Sequence, residues 1–109
     1  MKTVITSKGD SFDSPLDPRF GRCAWFCLYD EQTGEAEFMK NDSVDVAGGA
    51  GTRTAEKMIE WNVKKVISGD YGPKAKDLLD RFNVQLVIMK NEDKTVGEIV
   101  GKLKERSGD

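Results

Sequence analysis

Residues 23–40 read Cys-Ala-Trp-Phe-Cys-Leu-Tyr, then Asp-Glu-Gln-Thr-Gly, then Glu-Ala-Glu-Phe-Met-Lys. The first part is almost continuously apolar, which is typical of a strand that is covered on both faces. The last part alternates, because Ala36 and Phe38 are set against Glu37 and Met39. The stretch therefore predicts two antiparallel strands joined by a tight turn.

The residues around this hairpin predict one earlier strand and a later run of alternating helices and strands. Lys2–Thr6 is the first strand-like segment, and after Asn41 the apolar period changes from two to about 3.6. Two further strands are expected at Val63–Ser68 and Val84–Met89. Apolar residues at helical spacing mark three helices, at Thr54, Ala55, Met58 and Ile59, at Ala75, Leu78, Leu79 and Phe82, and at Val96, Ile99, Val100 and Leu103.

The element order is therefore βββαβαβα, an α/β fold. Right-handed crossovers between parallel strands place the fourth strand beside the first. We predict a five-stranded mixed sheet in the order 3-2-1-4-5, with strand two antiparallel and three helices distributed over both faces. This is the ribonuclease H-like arrangement. Residues 1–104 are expected to form a single domain, and residues 105–109 a flexible tail.

Composition and charge exclude several classes of function. The chain has 109 residues, a formal net charge of −2, two cysteines and no histidine. The charge gives no general attraction to nucleic acid or to an anionic membrane. No apolar run of about 18 residues could span a bilayer, and the first residues lack the features of a signal peptide. We expect a cytoplasmic protein without nucleic-acid or membrane partners.

The missing histidine removes Ser–His–Asp and Cys–His catalysis and ordinary zinc sites. A two-metal nuclease needs several converging carboxylates. Neither Lys2–Thr6 nor Val63–Ser68 carries an acid, so nuclease activity is not expected.

Three loops are predicted to leave the same carboxyl edge of the sheet, where open α/β sheets bind ligands. Two of them lead into glycine-bearing helix N-termini, at Gly48–Gly51 and Gly69–Lys74. Backbone N–H groups at such positions are free to face an anion. Discrete positive charge would come from Arg19, Arg22, Arg53 and Lys74. Cys23 belongs to the same edge, because strand two runs backwards.

Each of these features also has a purely structural explanation. Glycines before helices serve turns, and neither the P-loop nor the dinucleotide-binding pattern is present. Lys74 alone reads as a solvated helix residue, and the two arginines have Asp13 and Asp17 as nearby partners. Two arginines beside Cys23 would favour its thiolate, and packing is an equally good explanation for that cysteine.

The segments Phe20-Gly21-Arg22, Gly48-Gly49-Ala50-Gly51 and Gly72-Pro73-Lys74-Ala75 resemble, in order and spacing, the dinitrogenase iron–molybdenum cofactor-binding family. The resemblance extends from Met1 to about Lys104 and implies the same ribonuclease H-like fold. It also implies a non-catalytic protein that binds or carries an anionic metal–sulfur cluster. The cluster would be an iron–molybdenum cofactor precursor, another molybdenum- or iron–sulfur species, or a molybdenum–copper sulfide cluster as in the similar orange protein.

The resemblance implies cofactor-binding roles for Arg19, Phe20, Gly21, Arg22, Cys23, Gly49, Ala50, Gly51, Thr52, Gly72 and Lys74, with Cys23 as an optional metal ligand. Many cofactor-carrying relatives have a histidine where this chain has Arg19, so a His–metal bond is excluded here. The cluster would not be required for folding. Expected partners are the cluster and a donor or acceptor protein, and the chain would be a monomer or weak homodimer.

Two other classes of function use the same edge. One is a regulatory or protein-interaction module that recognises an anionic group, such as a phosphate or an acidic segment. The other is an enzyme, for which Cys23 would be the sole evident nucleophile.

Overall fold

The computed structural model describes residues 1–107, and its elements follow the predicted order. The strands are β1 (Lys2–Ser7), β2 (Trp25–Asp30), β3 (Ala36–Lys40), β4 (Val63–Ser68) and β5 (Gln85–Ile88). The helices are α1 (Ala50–Glu60), α2 (Pro73–Arg81) and α3 (Val96–Ser107). The largest shift of a strand boundary is at β2, which begins at Trp25 rather than at Cys23.

The sheet has the order β3-β2-β1-β4-β5, as predicted. β2 runs antiparallel to both of its neighbours, and Ile5 lies opposite Cys27 in the β1–β2 register. The pairs β1–β4 and β4–β5 are parallel. The carboxyl ends of β1, β4 and β5 therefore share one edge of the sheet.

The helices cover the two faces of the sheet separately. On one face, Met58 of α1 and Leu79 of α2 pack over Val4 and Val66. On the other face, α3 packs over a core that includes Tyr29. The predicted distribution of three helices over both faces is confirmed.

Local sequence signals set several boundaries. Asn62 and Asn83 end the αβ junctions in the left-handed conformation, at φ 60° and 58°, which asparagine tolerates better than most residues. Pro73 occupies the first turn of α2. Thr95 and Glu98 form a capping box at the start of α3.

The end of the chain differs from the prediction. Helix α3 continues to Ser107, so residues 105–107, expected to belong to a flexible tail, are helical. Gly108 and Asp109 lie outside the described residues. Within residues 1–107, no helix has the length and apolar character needed to cross a membrane.

Candidate functional site

The loop before β2 lies directly against the loop between β4 and α2. The Pro18 carbonyl accepts hydrogen bonds from the amides of Gly69 (3.1 Å) and Asp70 (2.6 Å). The amide of Phe20 donates to the Asp70 carbonyl at 3.2 Å, and a parallel bridge joins Arg19 to Asp70. These backbone bonds fix the position of the arginine-bearing loop relative to the start of α2.

The same loop also packs on the start of α1. A Cβ on Gly21 would lie 2.6 Å from the Gly51 nitrogen and 2.8 Å from its Cα, so only glycine fits there. A Cβ on Gly51 would in turn lie 3.3 Å from the Tyr71 carbonyl oxygen and 3.5 Å from Ala75 Cβ. The three predicted loops therefore meet, and α1 and α2 begin side by side. We call this region, residues 17–23, 48–52 and 69–74, the loop junction.

Helix α1 begins without a cap. Gly49 precedes it in the left-handed conformation (φ 73°, ψ 16°), no side chain of the described residues caps the helix, and its first turn carries no acid. The first intrahelical bond runs from the Arg53 amide to the Gly49 carbonyl, at 3.0 Å. The amides of Ala50, Gly51 and Thr52 have no acceptor within residues 1–107. Such amides are donors for an anion.

Helix α2 begins in the same way. Gly72 (φ 81°, ψ 153°) provides no side-chain cap, and the first turn again lacks an acid. Pro73 has no N–H to satisfy, and the first intrahelical bond runs from Lys76 to Gly72 at 3.0 Å. Lys74 is exposed and has no ion pair within the described part of the chain. Two helix dipoles thus bring partial positive charge to one place.

Arg19 is held by a buried carboxylate. Its Nε and Nη2 donate to the two oxygens of Asp17 at 3.0 and 2.9 Å, and its amide also donates to Asp17. Asp17 is fully buried, whereas 61% of the Arg19 side chain is exposed. These hydrogen bonds and the charge of Asp17 raise the pKa of Arg19. The pairing of Arg19 with Asp17, expected as the structural alternative, is therefore present.

Arg22 fastens a different loop. Its Nη1 donates to the Val44 carbonyl at 2.7 Å, so the alternative in which it pairs with Asp13 or Asp17 is wrong. Asn41 Nδ2 donates to the carbonyls of Gly21 (3.1 Å) and Cys23 (2.8 Å). Sequence reasoning noted Asn41 only as the point where the apolar period changes and missed this role.

Cys23 lies in the core rather than at the surface of the loop junction. It is fully buried with Phe20, and its Sγ lies 3.6 Å from the Phe20 carbonyl oxygen. Burial, with a smaller contribution from the charge of Asp17, raises the pKa of the Cys23 thiol. The expectation that two arginines favour its thiolate is wrong, because the thiol is buried and the nearby charge of Asp17, which pairs with Arg19, also opposes the thiolate.

Lys90 adds a cation that sequence reasoning missed. Its Nζ lies 3.1 Å from Asp70 Oδ1, and both side chains are largely exposed. The stem of Lys90 also passes over Gly69. The predicted topology could have identified Lys90, because it follows β5, and the carboxyl end of this parallel strand lies at the same edge as those of β1 and β4.

The predicted site residues thus divide by exposure. Gly51, Thr52 and Arg22 are half-buried, and the most accessible members are Arg19, Gly49, Gly72 and Lys74. The buried members, which form the wall beneath them, are Phe20, Gly21, Cys23 and Ala50. Among residues 1–107, no three His, Cys, Asp or Glu side chains are grouped so as to hold a metal ion.

Residues 1–106 match the family described as "Dinitrogenase iron-molybdenum cofactor". The chain belongs to this family. Among solved structures, the family member is similar to the apo form of the orange protein from Desulfovibrio gigas, with 28% identity and a TM-score of 0.86 over 97% of this chain and 88% of that one. A putative NifB protein from Thermotoga, of the DUF35 family, is 25% identical with a TM-score of 0.77, over 95% of this chain and 87% of that one. No curated protein matches the chain.

Proposed function

We propose that this family member binds and carries an anionic metal–sulfur cluster at the loop junction and catalyses no reaction on it. The observation that supports this most strongly is the pair of adjacent, uncapped helix N-termini of α1 and α2. Amide donors and two helix dipoles suit a ligand with several negatively charged sulfides. Membership of the cofactor family supports a cluster as that ligand.

The residues of the loop junction would have three roles: to donate hydrogen bonds, to supply positive charge and to hold the backbone in position. The amides of Gly51, Thr52 and Lys74 would donate hydrogen bonds to the cluster. The ammonium of Lys74 and the free Nη1 of Arg19 would supply positive charge. Lys90 would leave its ion pair with Asp70 and bind the cluster instead. Phe20, Gly21, Ala50 and the Arg22–Val44 bond would hold the backbone in place.

Cys23 takes no part in this resting arrangement. Its thiol is fully buried and would reach a cluster only if the surrounding segment opened. Charge and backbone hydrogen bonds therefore form the main attachment, and Cys23 is at most a ligand of an opened state. Alkylation tests this point: Cys23 should react far more slowly in the folded protein than in the denatured chain. Rapid alkylation that the anion blocks would instead identify Cys23 as a primary ligand.

The cargo belongs to the class of iron–molybdenum cofactor precursors and related molybdenum–sulfur or molybdenum–copper sulfide species. A cytoplasmic donor or acceptor protein would deliver or remove it.

Anaerobic titration with tetrathiomolybdate tests the proposal. We expect Lys74→Glu to weaken binding about tenfold, because it reverses a charge at the start of α2. Lys104→Glu is the matched control, since Lys104 is also exposed on a helix but lies on α3. Equal effects of the two substitutions, or no binding by the wild-type protein, would contradict the proposal.

The same amides can accept a phosphate, so a regulatory module that recognises a phosphorylated partner would use the same place. Competition distinguishes the two functions. If phosphate displaces tetrathiomolybdate at equal concentration, the loop junction is a general anion site, and the cluster-specific proposal fails.

A further inference from the structure

A groove between β5 and α3 leaves apolar side chains partly uncovered. It has a volume of about 240 Å³. Ile67, Ile99 and Leu103 line it and belong to the buried core on this face of the sheet. Val87 and Met89 also line it and pack on the same core, but they are only half-buried. An apolar group placed in the groove would therefore remove these two side chains from water.

Lys65 borders the groove from β4 and is already paired. The residue is buried, and its Nζ lies 3.3 Å from Oε2 of Glu31. The same oxygen of Glu31 accepts a hydrogen bond from Thr3 Oγ1 at 2.6 Å. The charges of Lys65 and Glu31 therefore offset each other beside the groove.

The other charged side chains of the groove come from α3 and the loop before it. Oε1 of Glu98 accepts from the amide and the hydroxyl of Thr95 at 3.1 and 3.2 Å, and its Oε2 lies 3.8 Å from Lys94 Nζ. Lys102 is exposed, lies one turn after Glu98 and forms no ion pair among the described residues. With Glu31 included, three lysines face two carboxylates. The groove thus has one excess positive charge, and Lys102 is its exposed source.

We propose that this groove binds a small amphiphile with one negative charge, of the class of aliphatic or aromatic monocarboxylates. The apolar part would cover Val87 and Met89, and the carboxylate would pair with Lys102. Pockets that hold drug-sized ligands measure about 300–1,000 Å³, so the smaller volume of this groove suits one short chain or one ring. A second negative charge on the ligand would be repelled by Glu98.

The proposed site is separate from the loop junction. The residues that line the groove all lie outside residues 17–23, 48–52 and 69–74. Binding of a carboxylate would therefore be a property beyond the proposed cluster binding, and either proposal can fail alone.

Titration of the full chain with sodium octanoate, followed by methyl chemical shifts, tests the proposal. We expect the methyl signals of Val87, Met89 and Ile99 to shift as octanoate binds. Octan-1-ol lacks the charge and acetate lacks the apolar chain, so each should bind at least about threefold more weakly than octanoate.

A pair of substitutions on α3 tests the role of the excess charge. Lys102→Glu should raise the dissociation constant of octanoate at least about fivefold, because it places a negative charge beside the carboxylate. Lys104→Glu is the matched control, since Lys104 is exposed on the same helix and does not line the groove. It should bind octanoate as the wild type does, and thermal unfolding should show that both variants fold.

Three results would overturn the proposal. Octanoate would leave the signals of Val87, Met89 and Ile99 in place, it would bind no better than octan-1-ol or acetate, or Lys102→Glu and Lys104→Glu would weaken it equally. Signals of the groove that move with protein concentration alone would show that a second copy fills it instead, and this result would also overturn the proposal.

Discussion

Helix α3 and helix α1 begin in opposite ways. At α3, the amides of Val96 and Gly97 donate to the carbonyls of Ser14 and Phe12 at 2.9 and 2.8 Å. The next amide, of Glu98, donates to Thr95 Oγ1 at 3.1 Å, and the Glu98 carboxylate accepts from the Thr95 amide. At α1, the first three amides have no acceptor within the described residues.

This contrast shows that the chain caps the N-terminus of α3 but leaves those of α1 and α2 uncapped. A polar side chain at the N-cap of α1 would give one of these amides an acceptor, at a gain of roughly a few tenths of a kcal/mol over glycine. The chain instead has Gly48 and Gly49 there, and the neighbouring α2 is uncapped as well. An open amide end at two adjacent helices is the arrangement expected of an anion site.

The largest effect should follow from filling the contact between the loop junction and α1. Gly21→Ala would force a Cβ into the backbone of Gly51 and should lower the free energy of unfolding by about 1–3 kcal/mol. Gly48→Ala is the control, since a Cβ there meets nothing within 4 Å. Urea unfolding of both variants measures the difference, and similar losses would show that Gly21 is not a close contact.

Removing the α3 cap should have the next largest effect. Thr95→Ala removes the hydroxyl that accepts from the Glu98 amide and should cost about 0.5–2 kcal/mol of stability. It should leave tetrathiomolybdate affinity unchanged, because the start of α3 pairs with residues 12–16 and makes no hydrogen bond to the uncapped helix N-termini. Urea unfolding and titration together check this. Loss of affinity with intact stability would reverse the roles assigned to the two helix ends.

Placing a negative charge at α1 should compete with its ligand. Gly48→Asp should weaken tetrathiomolybdate binding by roughly threefold to tenfold, as expected for a carboxylate near a helix N-terminus. Gly48→Asn keeps the size without the charge and should bind nearly as the wild type does. Isothermal titration at two salt concentrations measures this. If the two variants bind alike, charge at α1 plays no part.

The smallest effect concerns pH. Hydrogen bonds from Thr95 lower the pKa of Glu98 below its ordinary value of 4.5. A lowered pKa in the folded state stabilises the protein above pH 4.5, and this contribution is lost as pH falls through the folded value. Unfolding free energies measured below neutral pH should therefore decrease less in Glu98→Gln than in the wild type. An identical decrease would mean that the α3 cap does not titrate.

The sequence predicted the sheet because its signals are local. The apolar run before Tyr29 and the change of period at Asn41 each report on their own neighbours, and the handedness of crossovers then leaves a single strand order. Such signals also predicted that the glycine loops meet at one edge.

The arrangement of side chains at that edge could not be predicted in the same way. Whether Arg19 stays free or binds Asp17 depends on how deeply a loop residue is buried, which spacing does not report. Cys23 was expected at this edge because it starts the second strand in the prediction, with packing as an equal alternative, and the structure buries it in the core. Lys90 was predictable from topology, since β5 ends at the same edge.

Backbone amide chemical shifts during anaerobic titration with tetrathiomolybdate test the central claim most directly. We expect the amide signals of Gly51, Thr52 and Lys74 to shift with the anion, while those of Gly97 and Glu98 at the capped start of α3 stay in place. Uniform small shifts, or shifts confined to α3, would contradict the assignment of the anion site to the uncapped helix N-termini.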